Sequence, residues 1–114
     1  MKYGNKKVTI DGFNFDSKGE GNRYCELKLL LRANAISDLE LQSTIELQPK
    51  FKAQGKAERA INYIADFVYT ENGKTIIEDF KGFATKDYLL KRKMLLYMIS
   101  KGEFIGEFRE IRTR

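Results

Sequence analysis

The sequence predicts a mixed α/β (α+β) fold, ordered helix, strand, strand, strand, helix, strand behind an N-terminal hairpin. Three observations carry that reading. Apolar residues recur at helical spacing in two stretches, over about 17–33 and 85–101. They alternate with polar residues over 39–48, 61–69, 75–81 and 103–111. Asn72-Gly73, a pair suited to the positive backbone angles of a tight hairpin, separates two of those alternating runs.

Composition narrows the chemistry. The 114 residues suit one domain, 1–114, with a modest core. Apolar residues at 42% and charged ones at 32% give a globular balance, not a disordered one. No apolar run approaches a membrane span, and the N-terminus has charge but no hydrophobic signal core, so no membrane partner is expected. One cysteine, Cys25, allows no internal disulfide; a reducing cytoplasm and a small, buried or half-buried helix position are expected for it. There is no histidine, which excludes Ser-His-Asp and Cys-His catalysis and histidine-ligated zinc. Any metal must be held by oxygen ligands, as magnesium and manganese prefer. A net charge of +5 suits an anionic partner.

In chain order, residues 1–7 (MKYGNKK) form a short basic lead, expected to be mobile until it meets a partner. Val8-Thr9-Ile10 and Phe13-Asn14-Phe15 flank the two-residue turn Asp11-Gly12 and predict a small hairpin. Ser17 suits a helix N-cap, and Glu20 three residues later completes a capping box. The helix places Tyr24, Leu27 and Leu31 on one stripe with Leu30 beside it, while Glu26 faces solvent. Glu20 ends that same stripe, so its carboxylate meets the sheet.

Leu39, Leu41, Ser43, Ile45 and Leu47 share one face of the next strand, which Pro49 ends; Gln48 stands at its polar end. Residues 50–59 (KFKAQGKAER) form a basic loop or hairpin with Gly55 near its tip. In the run from Ile61, Tyr63, Ala65, Phe67 and Tyr69 fall on one face and Ile64, Asp66 and Val68 on the other. After Asn72-Gly73, Thr75, Ile77, Asp79 and Lys81 fall opposite Ile76, Glu78 and Phe80. Thr85 caps the second helix, for which Leu89, Leu90, Met94, Tyr97 and Met98 are the expected core, with Lys86, Lys91 and Lys93 facing solvent or phosphate. Gly102 ends it, and a last strand is expected over 103–111.

Asp66, Asp79 and Lys81 are thus expected on one side of neighbouring strands. Two carboxylates and an ammonium gathered there cost desolvation energy unless something offsets it, and a divalent cation would.

An Asp on one strand followed by Asp-x-Lys on the next resembles the core of the PD-(D/E)xK nuclease superfamily, here Asp66 with Asp79-Phe80-Lys81. Ala65 stands where the motif's proline would be. The element order matches that fold, a central mixed sheet flanked by helices. The phrases YGNKK, FDSKGEGNRYCELKLL, YIADFVY and EDFKGF are more narrowly similar to a family of small phage-encoded proteins assigned to the superfamily. The resemblance implies a phage protein of the host cytoplasm. It also implies a Mg2+- or Mn2+-dependent DNA endonuclease, selective for branched DNA as in Holliday-junction resolvases and serving recombination, replication or packaging.

Asp66 and Asp79 would hold the metal, joined by Glu20 and, in a less certain role, Glu78. Glu20, Asp66, Asp79 and Lys81 would be catalytic, Lys81 orienting water or stabilising developing charge. Lys6, Lys7, Lys50, Lys52, Lys86, Lys91 and Lys93 would bind the DNA backbone. A symmetric dimer would set two sites on opposing strands of a junction. The rival reading is a non-catalytic DNA- or protein-binding factor on the same fold.

Overall fold

The computed structural model describes residues 6–112; the expectation for residues 1–5, most of the basic lead, lies outside them. β1 (Val8–Ile10) and β2 (Phe13–Phe15) pair as the expected hairpin, with Asp11 and Gly12 at φ 54° and 82°. α1 (Lys18–Arg32) follows, capped by Ser17, whose Oγ accepts the Glu20 N–H at 3.1 Å. The hairpin lies against α1 at Gly21, where a Cβ would stand 2.7 Å from Val8 Cγ2, so only glycine permits the approach. Asp11 ties the two together by accepting from Tyr24 Oη and Lys28 Nζ, each at 2.8 Å.

Four strands form the main sheet: β3 (Ser37–Gln48), β6 (Ile61–Glu71), β7 (Lys74–Lys81) and β8 (Glu107–Arg112), in the order β3-β6-β7-β8. The first three are antiparallel neighbours; β8 runs parallel to β7, reached through the crossover helix α2 (Lys86–Ser100). Asn72 and Gly73, at φ 53° and 78°, make the expected two-residue turn between β6 and β7. β4 (Phe51–Ala53) and β5 (Lys56–Glu58) form a separate two-stranded ribbon between β3 and β6.

The sheet has a core on each face. Phe15, Tyr24, Leu27, Phe67, Tyr69 and Ile76 pack on the α1 side, and Ile45, Tyr63, Ala65, Ile77 and Leu95 on the α2 side. The strict alternation expected along β6 therefore fails. Tyr63 and Ala65 face α2 whereas Phe67 and Tyr69 face α1, so the chain changes face at Asp66. β3 does the same, with Leu41 on the α1 side and Ile45 on the α2 side. The two changes fall together: on β3 Gln42 sits in the left-handed region at φ 52°, and no Gln42–Asp66 pair forms between the Leu41–Phe67 and Ser43–Ala65 pairs. A residue outside the β region rotates the pleat, and period two restarts from the new phase.

Three further expectations are corrected. α2 is turned roughly half a revolution from the predicted core: Leu90 and Tyr97 are 58% and 59% exposed and Leu89 is exposed, while Leu95 is the buried residue, with Tyr88 and Ile99 packed beside it. Tyr88 and Arg92 both bond Glu110 on β8, and these polar anchors set the helix rotation against the apolar count. The last strand begins at Glu107, not 103, because Gly102 (φ 79°) closes α2 and Glu103 N–H is used to bond Met98 O at 2.9 Å. Cys25 is exposed, on the side of α1 away from Tyr24 and Leu27.

Candidate active site

β6 and β7 pair from Glu71–Lys74 as far as Phe67–Glu78, and there the ladder stops. Beyond it β6 stays with β3 and β7 stays with β8, so the two strands part. Parting leaves two backbone donors without strand carbonyls, and two carboxylates take them. Asp66 N–H donates to Asp79 Oδ1 at 3.0 Å, and Phe80 N–H donates to Asp66 Oδ2 at 2.8 Å. The aspartates are placed by the backbone they satisfy.

Asp79 has no exposed surface. It also accepts from the Tyr63 hydroxyl, and Lys81 Nζ lies 3.9 Å from its Oδ1. Burial pushes its carboxyl up to about 6 against the favourable influence of Lys81 and the Asp66 N–H. Lys81 is held in turn: its ammonium stands 4.5 Å over the Tyr88 ring, whose hydroxyl bonds Glu110. Arg92 bonds both oxygens of Glu110 at 3.0 and 3.1 Å, anchoring that ring from α2.

Glu20 reaches the same place from the start of α1. Gly19 permits this, because a Cβ there would fall 2.5 Å from Phe80 Cζ. Glu20 is 5% exposed, and its carboxyl is pushed up to about 7, first by burial and then by the negative charges of Asp66 and Asp16. Of the expected capping box, the Ser17 half forms, and the backbone of Asp16 draws the Glu20 carboxyl back down in part. Asp66 is also raised, chiefly by burial, against the Phe80 N–H, Lys81 and the Gln42 side chain.

A cleft of about 180 Å³ opens here, walled by Asp16, Ser17, Glu20, Asp66, Phe80 and Lys81, with the exposed Phe83 ring at its mouth. Of the residues expected to be catalytic, Glu20, Asp66 and Lys81 converge on it. Asp79 lies behind, bonded to Asp66 and beside Lys81.

Glu78 belongs elsewhere. It projects to the α1 face, fully buried, with Arg23 Nε at 2.6 Å, Arg23 Nη2 at 3.0 Å and Tyr69 Oη at 2.6 Å. Its odd–even position relative to Asp79 already separated the two; what sequence could not supply was Arg23, fifty-five residues away. Gln42, Asp16, Tyr63 and Tyr88 are site residues that sequence reading missed, and none carries a spacing that marks it. The glutamine at the site is Gln42; Gln48 pairs with Ile61, five residues from Asp66 along β6.

The lysines expected to meet DNA are scattered. Lys6 and Lys7 are exposed ahead of β1, Lys50 and Lys52 lie at the β4–β5 ribbon, and Lys86 and Lys93 are exposed on α2. Lys91 is half-buried and 3.5 Å from Asp87, beside Tyr63 and Tyr88.

Among the described residues no three acidic side chains stand together as a metal-holding group. The expected trio of Glu20, Asp66 and Asp79 is therefore not assembled: Asp79 is turned to Tyr63 and the Asp66 N–H. Glu20 and Asp66 do suit a divalent cation. They are two desolvated carboxylates on one cleft, each with a raised proton affinity that a cation would relieve.

The fold and cleft define an α+β protein with carboxylates and a lysine gathered where two strands part. Residues 1–113 match the family described as "Protein of unknown function (DUF1064)", and the chain belongs to that family. No curated protein matches the chain. No helix among the described residues is long and apolar enough to cross a membrane.

Proposed function

We propose that this chain is a metal-dependent endodeoxyribonuclease of the PD-(D/E)xK type. The observation that carries the reading is the parting of β6 and β7 at Asp66 and Asp79, which sets Glu20, Asp66 and Lys81 around one cleft. Glu20 and Asp66 would hold Mg2+ or Mn2+, which when bound supplies Lewis acidity and a bound water of lowered pKa. The chain supplies the rest. Lys81, steadied by Asp79 and the Tyr88 ring, offers an ammonium to a phosphate oxygen and to the charge that develops on it. Asp79 holds its Oδ1 3.9 Å from Lys81 Nζ and keeps the Asp66 backbone in place. Phe80 and Gly19 keep the carboxylate of Glu20 against the sheet and away from bulk water.

Shape-selective cutting of branched DNA is the substrate class proposed, from the resemblance to Holliday-junction resolvases. A phage origin and action in the host cytoplasm belong to the same proposal and rest on the phrases similar to those of the phage proteins; a two-fold dimer would set two sites on opposing strands of a junction.

Incubation with Mg2+ or Mn2+ and labelled duplex, single-stranded, flapped and four-way DNA tests it. Wild-type cleavage concentrated on the branched substrates is expected, with Asp79→Ala and Asp66→Ala inactive. DNA shifted on a gel but cut with neither metal would replace the nuclease by a binding factor on the same fold.

A further inference from the structure

β4 and β5 are a ribbon with nothing to lean on. They pair in register (Phe51 with Glu58, Lys52 with Ala57, Ala53 with Lys56) around Gln54-Gly55 at φ 51° and 75°. Every residue from Gln48 to Arg59 is exposed. An isolated two-stranded hairpin is marginal in water, so a projecting one that packs on no core has no stabilising role in the fold.

Its charges are also sorted. Period two puts Lys52 and Ala57 on one face; Lys50 and Arg59 flank the ladder just outside its paired residues, and these four positions hold three cations and no acid. Phe51, Ala53, Lys56 and Glu58 form the other face, where Lys56 and Glu58 balance. Among the described residues, Lys50, Lys52 and Arg59 make no ion pair, unlike Arg23, Lys28, Lys81, Lys91, Arg92 and Arg109.

We infer that the β4–β5 ribbon is a duplex-DNA arm, which lays its Lys50, Lys52 and Arg59 face along the major groove and its bordering phosphates. The dimensions agree. Paired strands are about 4.8 Å apart, and a major groove about 12 Å wide admits a two-stranded ribbon. Gly55 at the tip and Ala57 opposite Lys52 leave that side without bulky groups and allow close approach. The ribbon leaves the sheet at Gln48 and Ile61, five residues from Asp66, or roughly 17 Å at strand rise. The arm therefore rises from the same strand that carries Asp66. The inference rests on DNA being the ligand, as in the nuclease reading, but needs no cleavage.

Anisotropy with a labelled DNA duplex in EDTA, across about 50–200 mM salt, tests the arm. In K50Q/K52Q/R59Q the slope of log affinity against log salt should fall by about 2–3, at ~0.9 for each phosphate that the variant leaves unneutralised. Lys56→Gln, on the balanced face, should leave the slope unchanged. Binding to an RNA duplex, whose major groove is too deep and narrow to enter, should respond little to the triple change. Melting temperatures should match the wild type, since the ribbon packs on no core. The inference fails if the triple variant keeps the wild-type slope, if Lys56→Gln costs as much per charge, if RNA duplex binding falls equally, or if the wild type binds no duplex. A ribbon-dependent slope in a protein that cuts nothing would keep the arm and remove the nuclease.

Discussion

Asp66 donates its backbone N–H to the carboxylate of Asp79, its neighbour across two strands that have ceased to pair. A backbone donor that would otherwise face a strand carbonyl is thereby tied to a buried charge. The same exchange runs back through the Asp66 carboxylate to Phe80 N–H. The opening between β6 and β7 is held by Asp66, which faces the cleft, and by Asp79 behind it, so the fold and the site share their hydrogen bonds.

The ion pair behind the site should dominate local stability. Arg23→Leu leaves Glu78, which has no exposed surface, without its cation and should cost about 3–5 kcal/mol. Glu26→Ala, removing the exposed partner of the same arginine, should cost less than about 1 kcal/mol. The double variant R23L/E78L should recover much of the loss. Urea unfolding of the three proteins checks the order.

Stability should fall as pH rises from 5 to 8. Glu20 and Asp79 have folded-state carboxyls raised to about 7 and about 6, so the folded chain holds protons there that the unfolded chain has released. Their contribution is full below the ordinary carboxylate range and is lost as pH climbs through 6 to 7. Urea midpoints at pH 5 and 8 should differ in that direction, and Glu20→Gln should shrink the difference. A midpoint that rises with pH would contradict the crowding of these carboxylates.

Gly19→Ala should strain the α1–β7 contact, because the new methyl would meet the Phe80 ring at 2.5 Å. Overpacking of this kind costs about 1–3 kcal/mol. Phe80→Leu in the same chain should relieve part of it, and a double-mutant cycle by thermal melting would reveal coupling between the two positions.

The rotation of α2 can be read from two truncations. Leu95→Ala empties a fully buried site and should cost about 2–5 kcal/mol. Leu90→Ala, at a residue 58% exposed, should change stability by no more than about 0.5 kcal/mol. The reverse order would restore the helix orientation that apolar spacing alone suggests.

Much of the architecture was legible in the sequence because it is local. Ser17 and Thr85 cap their helices with their own hydroxyls, and Asn72-Gly73 and Asp11-Gly12 supply the positive φ their turns demand. Alternation marked β3, β6 and β7, and the two-residue offset put Asp79 and Lys81 on one side of a strand. Tertiary structure decided the rest. The change of face at Asp66 falls opposite a left-handed residue, Gln42, on the neighbouring strand, and no period within β6 can register it. α2 is turned by Glu110, a partner on β8, against its own count of apolar residues. Glu78 left the site for Arg23, and Asp79 turned to Tyr63. Sequence determines which groups are able to cap, turn and alternate, since those choices are settled within a few residues. Which buried charge meets which partner is settled only when distant strands and helices pack, because desolvation makes each such charge take the nearest available donor.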